Sequence, residues 1–321
     1  MAVLVFAEQR KGKMPKVAFE AVSQGRRIAD RRGDSLHVCL IGDNVSHLSD
    51  DITAYGGDDI LIYDSVDLSD YQTEAYAAVL VSAVNEVGVK LVIMGHTLMV
   101  RDLAPRVAEE IGAGLVSDCT AMETDEDVIS FIRPMYAGKV FAKVTVGTDV
   151  ALCTIRPNNF SIAEKPGKGK QRTLDCEIPE IRARTTGMEV RGGDRPELTE
   201  ADIIVSGGRG LGGAEGFGVV EEVADILGAA VGASRAAVDA GWRSQQYQVG
   251  QTGKVVTPDL YVACGISGAA QHMAGMSASR CIVAINKDPD ANMMKVADLS
   301  IEGDLYKILS ELSDQIKNGA E

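Results

Sequence analysis

Apolar residues in the first third of the chain come in short continuous runs separated by amphipathic stretches. AVLVFAE (2–8), SLHVCLIG (35–42), DILIYD (59–64) and VKLVIMG (89–95) have strand length. Between and after them, residues 15–32, 43–55, 70–87 and 100–112 follow a helical pattern. Strand and helix in alternation predict an α/β domain with a parallel, doubly wound sheet. From Ser117 the texture changes. CTAMETDEDVISFIRP, MYAGKVFAKVTVG and DVALCTIRP read as successive strands joined by Asp- and Gly-containing turns, predicting an antiparallel meander added to the parallel sheet.

Residues 164–200 interrupt the pattern with Pro, Gly and mixed charge, and read as a connecting segment with a strand or two. A domain boundary is expected near 190, giving domains at 1–190 and 191–321. The second half restarts the α/β alternation. ADIIVSGG (201–208), AAVGAS (229–234), PDLYVACGIS (258–267), RCIVAIN (280–286) and VADLSIEG (296–303) are strands, with helices at 216–229, 269–276 and 304–317.

Composition narrows the class. At 321 residues and 45% hydrophobic, with mean hydropathy near zero, the chain is long enough for two well-buried cores. Its net charge of −14 argues against nucleic acid or an anionic membrane surface as partner. The acidic excess is read as solvated surface, or as a docking face for a basic partner. Six cysteines lie far apart with no C-x-x-C pair, so a metal or iron–sulfur site is not expected, and a reducing compartment is. The opening MAVLVFAE lacks the features of a signal peptide, and no window approaches eighteen apolar residues. A cytoplasmic protein without membrane insertion is expected.

Chemistry concentrates after residue 200. Gly208, Gly210 and Gly213 satisfy G-x-G-x-x-G directly after a strand, which taken alone suggests an NAD(P)-dependent oxidoreductase. Arg209 inside that loop is unusual where a pyrophosphate must approach the backbone. The acidic residue expected some twenty positions on is met only loosely, by Asp225. Further loops of Gly, Ser, Thr, Gln, His and Arg follow each later strand, and such loops suit a nucleotide cofactor. No Ser-His-Asp or Cys-His set, metal spacing or P-loop is visible.

The ordered series SGGRG (206–210), GASRA (232–236), VGQTGK (249–254), GISGAAQH (265–272), AINKDP (284–289) and the Asp304-Leu305 pair resembles the FAD-binding domain of the electron-transfer flavoprotein alpha subunit. The first half is similar to that family's N-terminal domain, so the resemblance covers essentially the full chain. It implies a flavodoxin-like or Rossmann-like FAD-binding domain at 191–321, with residues 1–190 contacting a partner subunit.

The resemblance also distributes roles. The loop Ser267, Gly268, Ala269, Ala270, Gln271 and His272 would hold the FAD pyrophosphate, where small residues and a helix start favour a phosphate. His272 would reach the pyrimidine edge near O2; a structural histidine is the competing reading. Arg235 would sit by N1 and O2, where negative charge gathers when a flavin takes up one electron. At ~4 Å and an effective dielectric of about 20, that attraction is roughly 4 kcal/mol, or on the order of 170 mV. A surface ion pair is the alternative for Arg235. Ser234 and the run Val249, Gly250, Gln251, Thr252 would supply donors, with Thr252 addressing N5. Arg209 would contact FAD too. Asn286, Asp304 and Leu305 would meet the adenosine half, although Asn286 also suits a turn and Asp304 a helix N-cap.

The function so implied is that of an electron carrier without substrate chemistry of its own. It would pair with an electron-transfer flavoprotein beta subunit, receive single electrons from an acyl-CoA dehydrogenase or similar flavoenzyme, and pass them to a quinone reductase or another acceptor. Gly303-Asp304 and the spelling ACGISG are similar to an NADH-linked branch that splits electron pairs. From a different class, a regulatory nucleotide-binding module without redox work remains an alternative.

Overall fold

The computed structural model describes residues 2–125, 128–136, 138–187 and 195–319. The chain divides into two compact units, Met1–Met135 with Lys139–Glu189, and Tyr136–Gly138 with Val190–Glu321. The boundary expected at 190 lies outside the described residues.

The first unit is built on strands β1 (Ala2–Ala7), β2 (Leu36–Gly42), β3 (Asp59–Asp64) and β4 (Val89–Gly95), which alternate with helices α1 (Lys16–Arg32), α2 (Ser49–Ala54), α3 (Thr73–Val87) and α4 (Leu98–Glu110). Successive residues of β1 point to opposite faces, as a pleated strand requires. Val3 and Val5 pack with α1 in one core, and Leu4 and Phe6 pack with α3 and α4 in another. Left-handed glycines stop two of these helices: Gly33 ends α1 at φ 67° and Gly88 ends α3 at φ 68°.

The segment after α4 departs from the expected meander. Its strands are β5 (Gly114–Cys119), β6 (Ala121–Asp125), β7 (Val128–Met135), β8 (Val140–Thr145) and β9 (Ala151–Ile155). Only β6, β7 and β8 form an antiparallel sheet, and it is a separate three-stranded one. Strand β9 instead inserts between β4 and β5, parallel to both. The reason lies in the side chains. The ALCTI strand is buried at four successive positions, whereas β8 alternates between exposed and partly buried ones. A strand apolar on both faces belongs inside a helix-covered parallel sheet. Strand β10 (Lys170–Thr173) closes the large sheet beyond β3, giving the order β10-β3-β2-β1-β4-β9-β5. Its polar KQRT sequence suits an edge, and Arg172 ties it to Asp59 at 2.8 Å and to Glu86 at 2.7 Å.

The second unit is a five-stranded parallel sheet made of β11 (Ile203–Gly207), β12 (Ala230–Ala233), β13 (Leu260–Cys264), β14 (Cys281–Asn286) and β15 (Leu299–Glu302). Helices α5 (Phe217–Leu227), α6 (Arg235–Asp239), α7 (Ala270–Met273), α8 (Asn292–Val296) and α9 (Leu305–Lys317) complete it. Both faces are covered: Ile204 and Tyr261 belong to one core, and Val205 and Val262 to the other with α5 and α9. Among the described residues, no helix is long and apolar enough to cross a membrane.

A candidate cofactor cradle beyond the second sheet

The strand order β12-β11-β13-β14-β15 reverses direction between β11 and β13. In open parallel sheets the loops leaving such a point diverge to opposite faces and open a crevice beyond the carboxyl ends. A cavity of about 610 Å³ lies there, walled by the loops after β11, β12, β13 and β14 and by the turn at 248–252. Its size falls in the ordinary range of small-molecule sites.

The glycine-rich loop after β11 is used for packing rather than for a pyrophosphate. Gly208 and Gly210 cross the loop after β13 backbone to backbone. A Cβ on Gly208 would lie 2.4 Å from the Gly265 carbonyl oxygen, and one on Gly210 would lie 2.7 Å from Gly265 Cα. Their N–H groups are already spent, on Cys264 O at 2.8 Å and Gly265 O at 3.0 Å. A dinucleotide loop needs those amides free, so the G-x-G-x-x-G pattern does not carry the nicotinamide reading. Arg209, between the two glycines, points into the cavity wall. It is exposed and forms no ion pair with the described residues.

The loop after β13 has the opposite character. The N–H groups of Ser267, Gly268, Ala269 and Ala270 make no hydrogen bond with the described residues. Ser267, Ala269, Gln271 and His272 line the cavity. Gly268 does not, but shapes the loop: at φ 79° it crosses the start of α8, where a Cβ would meet Met293 N at 2.3 Å. Ala270 is exposed and off the wall. Helix α7 spans only four residues, so the loop's donors come from its extended backbone and not from a helix dipole of any length.

His272 is 6% exposed and Tyr261 is fully buried beneath it, with Nε2 of the ring 2.9 Å from the Tyr261 hydroxyl. Burial pushes the His272 pKa down to about 4, against a smaller opposing contribution from the Val249 backbone, so the ring is neutral at pH 7. Its Nδ1 is buried and makes no well-formed hydrogen bond.

The turn at 249–252 is clamped to α7 by Gln251 N donating to Gln271 O at 2.7 Å. Gly250 adopts φ 144° beneath it, with Gly275 packed so closely that a Cβ there would lie 2.4 Å from Gly250 Cα. Val249, Gly250, Gln251 and Thr252 all line the cavity. Ser234 lines it and caps α6, its Oγ accepting from Ala237 N at 3.4 Å. Arg235 lines the cavity as well, but its side chain is 64% exposed and pairs with Asp239 at 3.3 Å one turn along α6. The surface ion pair expected as the alternative is thus present, and an exposed setting gives this arginine less electrostatic weight than the 170 mV estimate.

Three residues near the ends of β14 and β15 divide. Asn286 reaches the cavity, yet it also fixes its own turn: Nδ2 donates to Ile266 O at 3.1 Å and Oδ1 accepts from Asp288 N at 3.1 Å. Asp304 is off the wall, capping α9 through Tyr306 N at 3.0 Å and pairing with Lys287 at 3.0 Å. Leu305 is 2% exposed, a core residue whose Cδ2 backs Gly265. Gly210 of the glycine-rich loop lines the cavity too, and so do Ala236, Gln248, Gly265, Ile266, Asp288 and Ala291, which the sequence reading does not single out as contacts. Gln248 carried a readable signal, since it directly precedes VGQT.

The profile of the electron transfer flavoprotein domain matches residues 3–182, and that of the electron transfer flavoprotein FAD-binding domain matches residues 197–277. The electron transfer flavoprotein subunit alpha of Thermoanaerobacterium thermosaccharolyticum is 44% identical over 321 residues, covering 98% of this chain and 97% of the relative. This chain belongs to the electron transfer flavoprotein family. It stands with the alpha subunits, the one from Bacillus subtilis being 42% identical over 98% of this chain and 97% of its own length. The acryloyl-CoA reductase electron transfer subunit beta of Anaerotignum propionicum is 35% identical over 99% of this chain and 96% of the relative. As a member of this family the protein is an electron carrier rather than an enzyme, and its C-terminal domain binds FAD. The cavity fits that cofactor. Unpartnered amides at Ser267 and Ala269 suit a pyrophosphate, two arginines suit its charge, and a neutral buried imidazole stands beside a Gln-Thr turn.

Proposed function

We propose that this electron transfer flavoprotein subunit holds FAD in the cavity beyond β11 and β13, and works as one half of a heterodimer with an electron-transfer flavoprotein beta subunit in the cytoplasm. It takes single electrons from an acyl-CoA dehydrogenase or similar flavoenzyme and delivers them to a quinone reductase or another acceptor. Bound FAD supplies the redox centre, since no described side chain in the cavity does one-electron chemistry at ordinary potentials.

The chain's own residues bind, orient and tune. The amides of Ser267 and Ala269 meet the phosphates, and Arg209 and Arg235 balance their charge. Thr252 presents a hydroxyl toward the flavin edge, and His272 presents a neutral, buried ring to the wall. Asn286 and Asp288 border the cavity on the adenosine side. The residue assignments rest on one observation: twelve positions expected from five separated motifs converge on one cavity wall at the switch point of the sheet.

The test is to co-purify the chain with its beta subunit and record a spectrum. Flavin bands at about 370–380 and 440–450 nm are expected, with one FAD released per alpha chain on denaturation. A heterodimer reconstituted with excess FAD that stays colourless overturns the reading. The relative named for acryloyl-CoA reductase favours a second, narrower reading, in which NADH feeds the pair and electrons divide between two acceptors. Reduction of the heterodimer's flavin by NADH alone supports that branch, and its absence returns the protein to simple carriage.

A further inference from the structure

We infer that Asp288, at the β14 end of the cavity, accepts the ribose hydroxyls of the adenosine half of FAD, and so takes the place expected of Asp304. The inference rests on the FAD reading given above and decides which carboxylate of this chain serves it.

Strand order lays the cavity out from end to end. Ser234 and Arg235 follow β12, Arg209 follows β11, residues 265–272 follow β13, and Asn286 and Asp288 lie at and after the end of β14. The turn at 248–252 belongs to the β12 side, since Val249 N donates to Ala233 O at 3.0 Å. Three strand spacings of ~4.8 Å put about 14 Å between the ends of β12 and β14. The unpartnered amides of Ser267 and Ala269 stand between these ends. A pyrophosphate held there sends one ring system each way. The β12 end offers a guanidinium, hydroxyls and an amide, and the β14 end offers a carboxylate.

A count of polar groups singles out Asp288. Asp304 is off the wall with both oxygens engaged, Oδ1 by Tyr306 N at 3.0 Å and Oδ2 by Lys287 Nζ at 3.0 Å. Asn286 lines the cavity, but Nδ2 donates to Ile266 O and Oδ1 accepts from Asp288 N, each at 3.1 Å. Asp288 also lines the cavity, and it forms no ion pair among the described residues. Its Oδ1 closes a turn by accepting from Asp290 N at 3.0 Å, and its Oδ2 has no hydrogen bond with a described residue. One oxygen is thus pinned and the other is held ready, so little side-chain freedom is lost on binding. An ionised carboxylate only accepts hydrogen bonds. Near a pyrophosphate it is favourable only where the ligand presents donors. The ribose diol supplies two adjacent ones, and an acid on ribose hydroxyls is a recurrent solution in parallel α/β dinucleotide sites.

The experiment strips FAD from the heterodimer and reads affinity by flavin fluorescence, apart from any electron transfer. Two ligands are compared, FAD and an analogue whose adenosine ribose lacks both hydroxyls. Asp288→Asn keeps an acceptor oxygen for Asp290 N and turns the free oxygen into a donor, so the turn survives and the proposed contact does not. It should weaken FAD about tenfold. The wild type should bind the analogue about tenfold less tightly than FAD, and Asp288→Asn should cost the analogue nothing further. Asp304→Asn, which keeps the cap of α9, should bind FAD as the wild type does. Three results overturn the inference. They are an unchanged FAD affinity in Asp288→Asn, an equal loss for FAD and the analogue (which assigns Asp288 to the adenine amino group or to loop shape), and a loss in Asp304→Asn as large as that in Asp288→Asn. Failure of the FAD reading looks different: a wild-type heterodimer that binds neither ligand, which removes this assignment with it.

Discussion

Gln248 Nε2 donates to Thr252 Oγ1 at 3.0 Å, and Gln248 is only 2% exposed. With its oxygen engaged as an acceptor, the Thr252 hydroxyl keeps its own proton for the cavity. Thr252→Ala is therefore expected to shift the flavin potential. Gln248→Met, which fills the space without donating, is expected to shift it in the same direction by a smaller amount. One buried hydrogen bond is worth about 0.5–1.5 kcal/mol, which corresponds to ~20–60 mV. Redox titration of the two variants checks this. An unchanged potential in Thr252→Ala means that the turn faces elsewhere.

Arg235 gives a bracketed prediction. In the exposed, Asp239-paired setting seen in the chain, an attraction at ~4 Å is worth about 1 kcal/mol, against roughly 4 kcal/mol once water is excluded. Arg235→Ala should lower the one-electron potential by ~40 mV at the first limit and ~170 mV at the second. Asp239→Asn should raise it slightly by releasing the guanidinium. Titration of the heterodimer measures both, and equal potentials in wild type and Arg235→Ala remove this arginine from tuning.

Gly208→Ala tests the crossing of the loops after β11 and β13. The added methyl would sit 2.4 Å from the Gly265 carbonyl oxygen, which already accepts from Gly210 N at 3.0 Å. Overpacking of this kind costs about 1–3 kcal/mol. A lower denaturation midpoint for the second unit, with the first unit's midpoint preserved, is the expected calorimetric result.

Acid should weaken both units through one shielded histidine in each, His272 buried and His96 partly so. Burial holds His272 and His96 down to about 4, against an ordinary value of 6.5. His96 is anchored by Thr154 Oγ1 at 2.8 Å. Unfolded, each ring takes up a proton below pH 6.5 that the folded chain refuses. The stabilisation from a neutral ring is thus complete above that pH and is lost as pH falls toward 4. Each group contributes about 1–3 kcal/mol. Urea midpoints measured between pH 7 and pH 4 should fall, and His272→Gln should flatten the dependence in the second unit.

Much of this architecture was legible in residue order, because buried parallel strands announce themselves as unbroken apolar runs. Strands β1 to β4 and β11 to β15 lie within a residue or two of their apolar runs, apart from looser ends at β13 and β15. Strand β9 departs from its sequence pattern because DVALCTIRP follows three true meander strands, whereas its parallel partners β4 and β5 come earlier in the chain. Strand β5 was missed since GLVSDC mixes apolar and polar positions, with pairing interrupted between Val116 and Cys119. At the cavity, motifs located the loops but not the direction of each side chain. Leu305 follows the capping residue of α9, and helix periodicity turns it inward to Leu309 and the core. Spacing alone could not separate a core leucine from a cofactor contact.

The main-chain phosphate grip proposed for the loop after β13 has a consequence for how this protein tolerates change. A phosphate held by main chain is indifferent to which small side chain hangs from it. Scanning the loop with alanine would then report near-normal affinity at Ser267 and wrongly suggest that the loop is idle. Damage would come only where backbone shape is at stake, at Gly268 with its left-handed φ of 79°. Across drifting lineages, the grip on the cofactor can outlast the identity of most residues that form it.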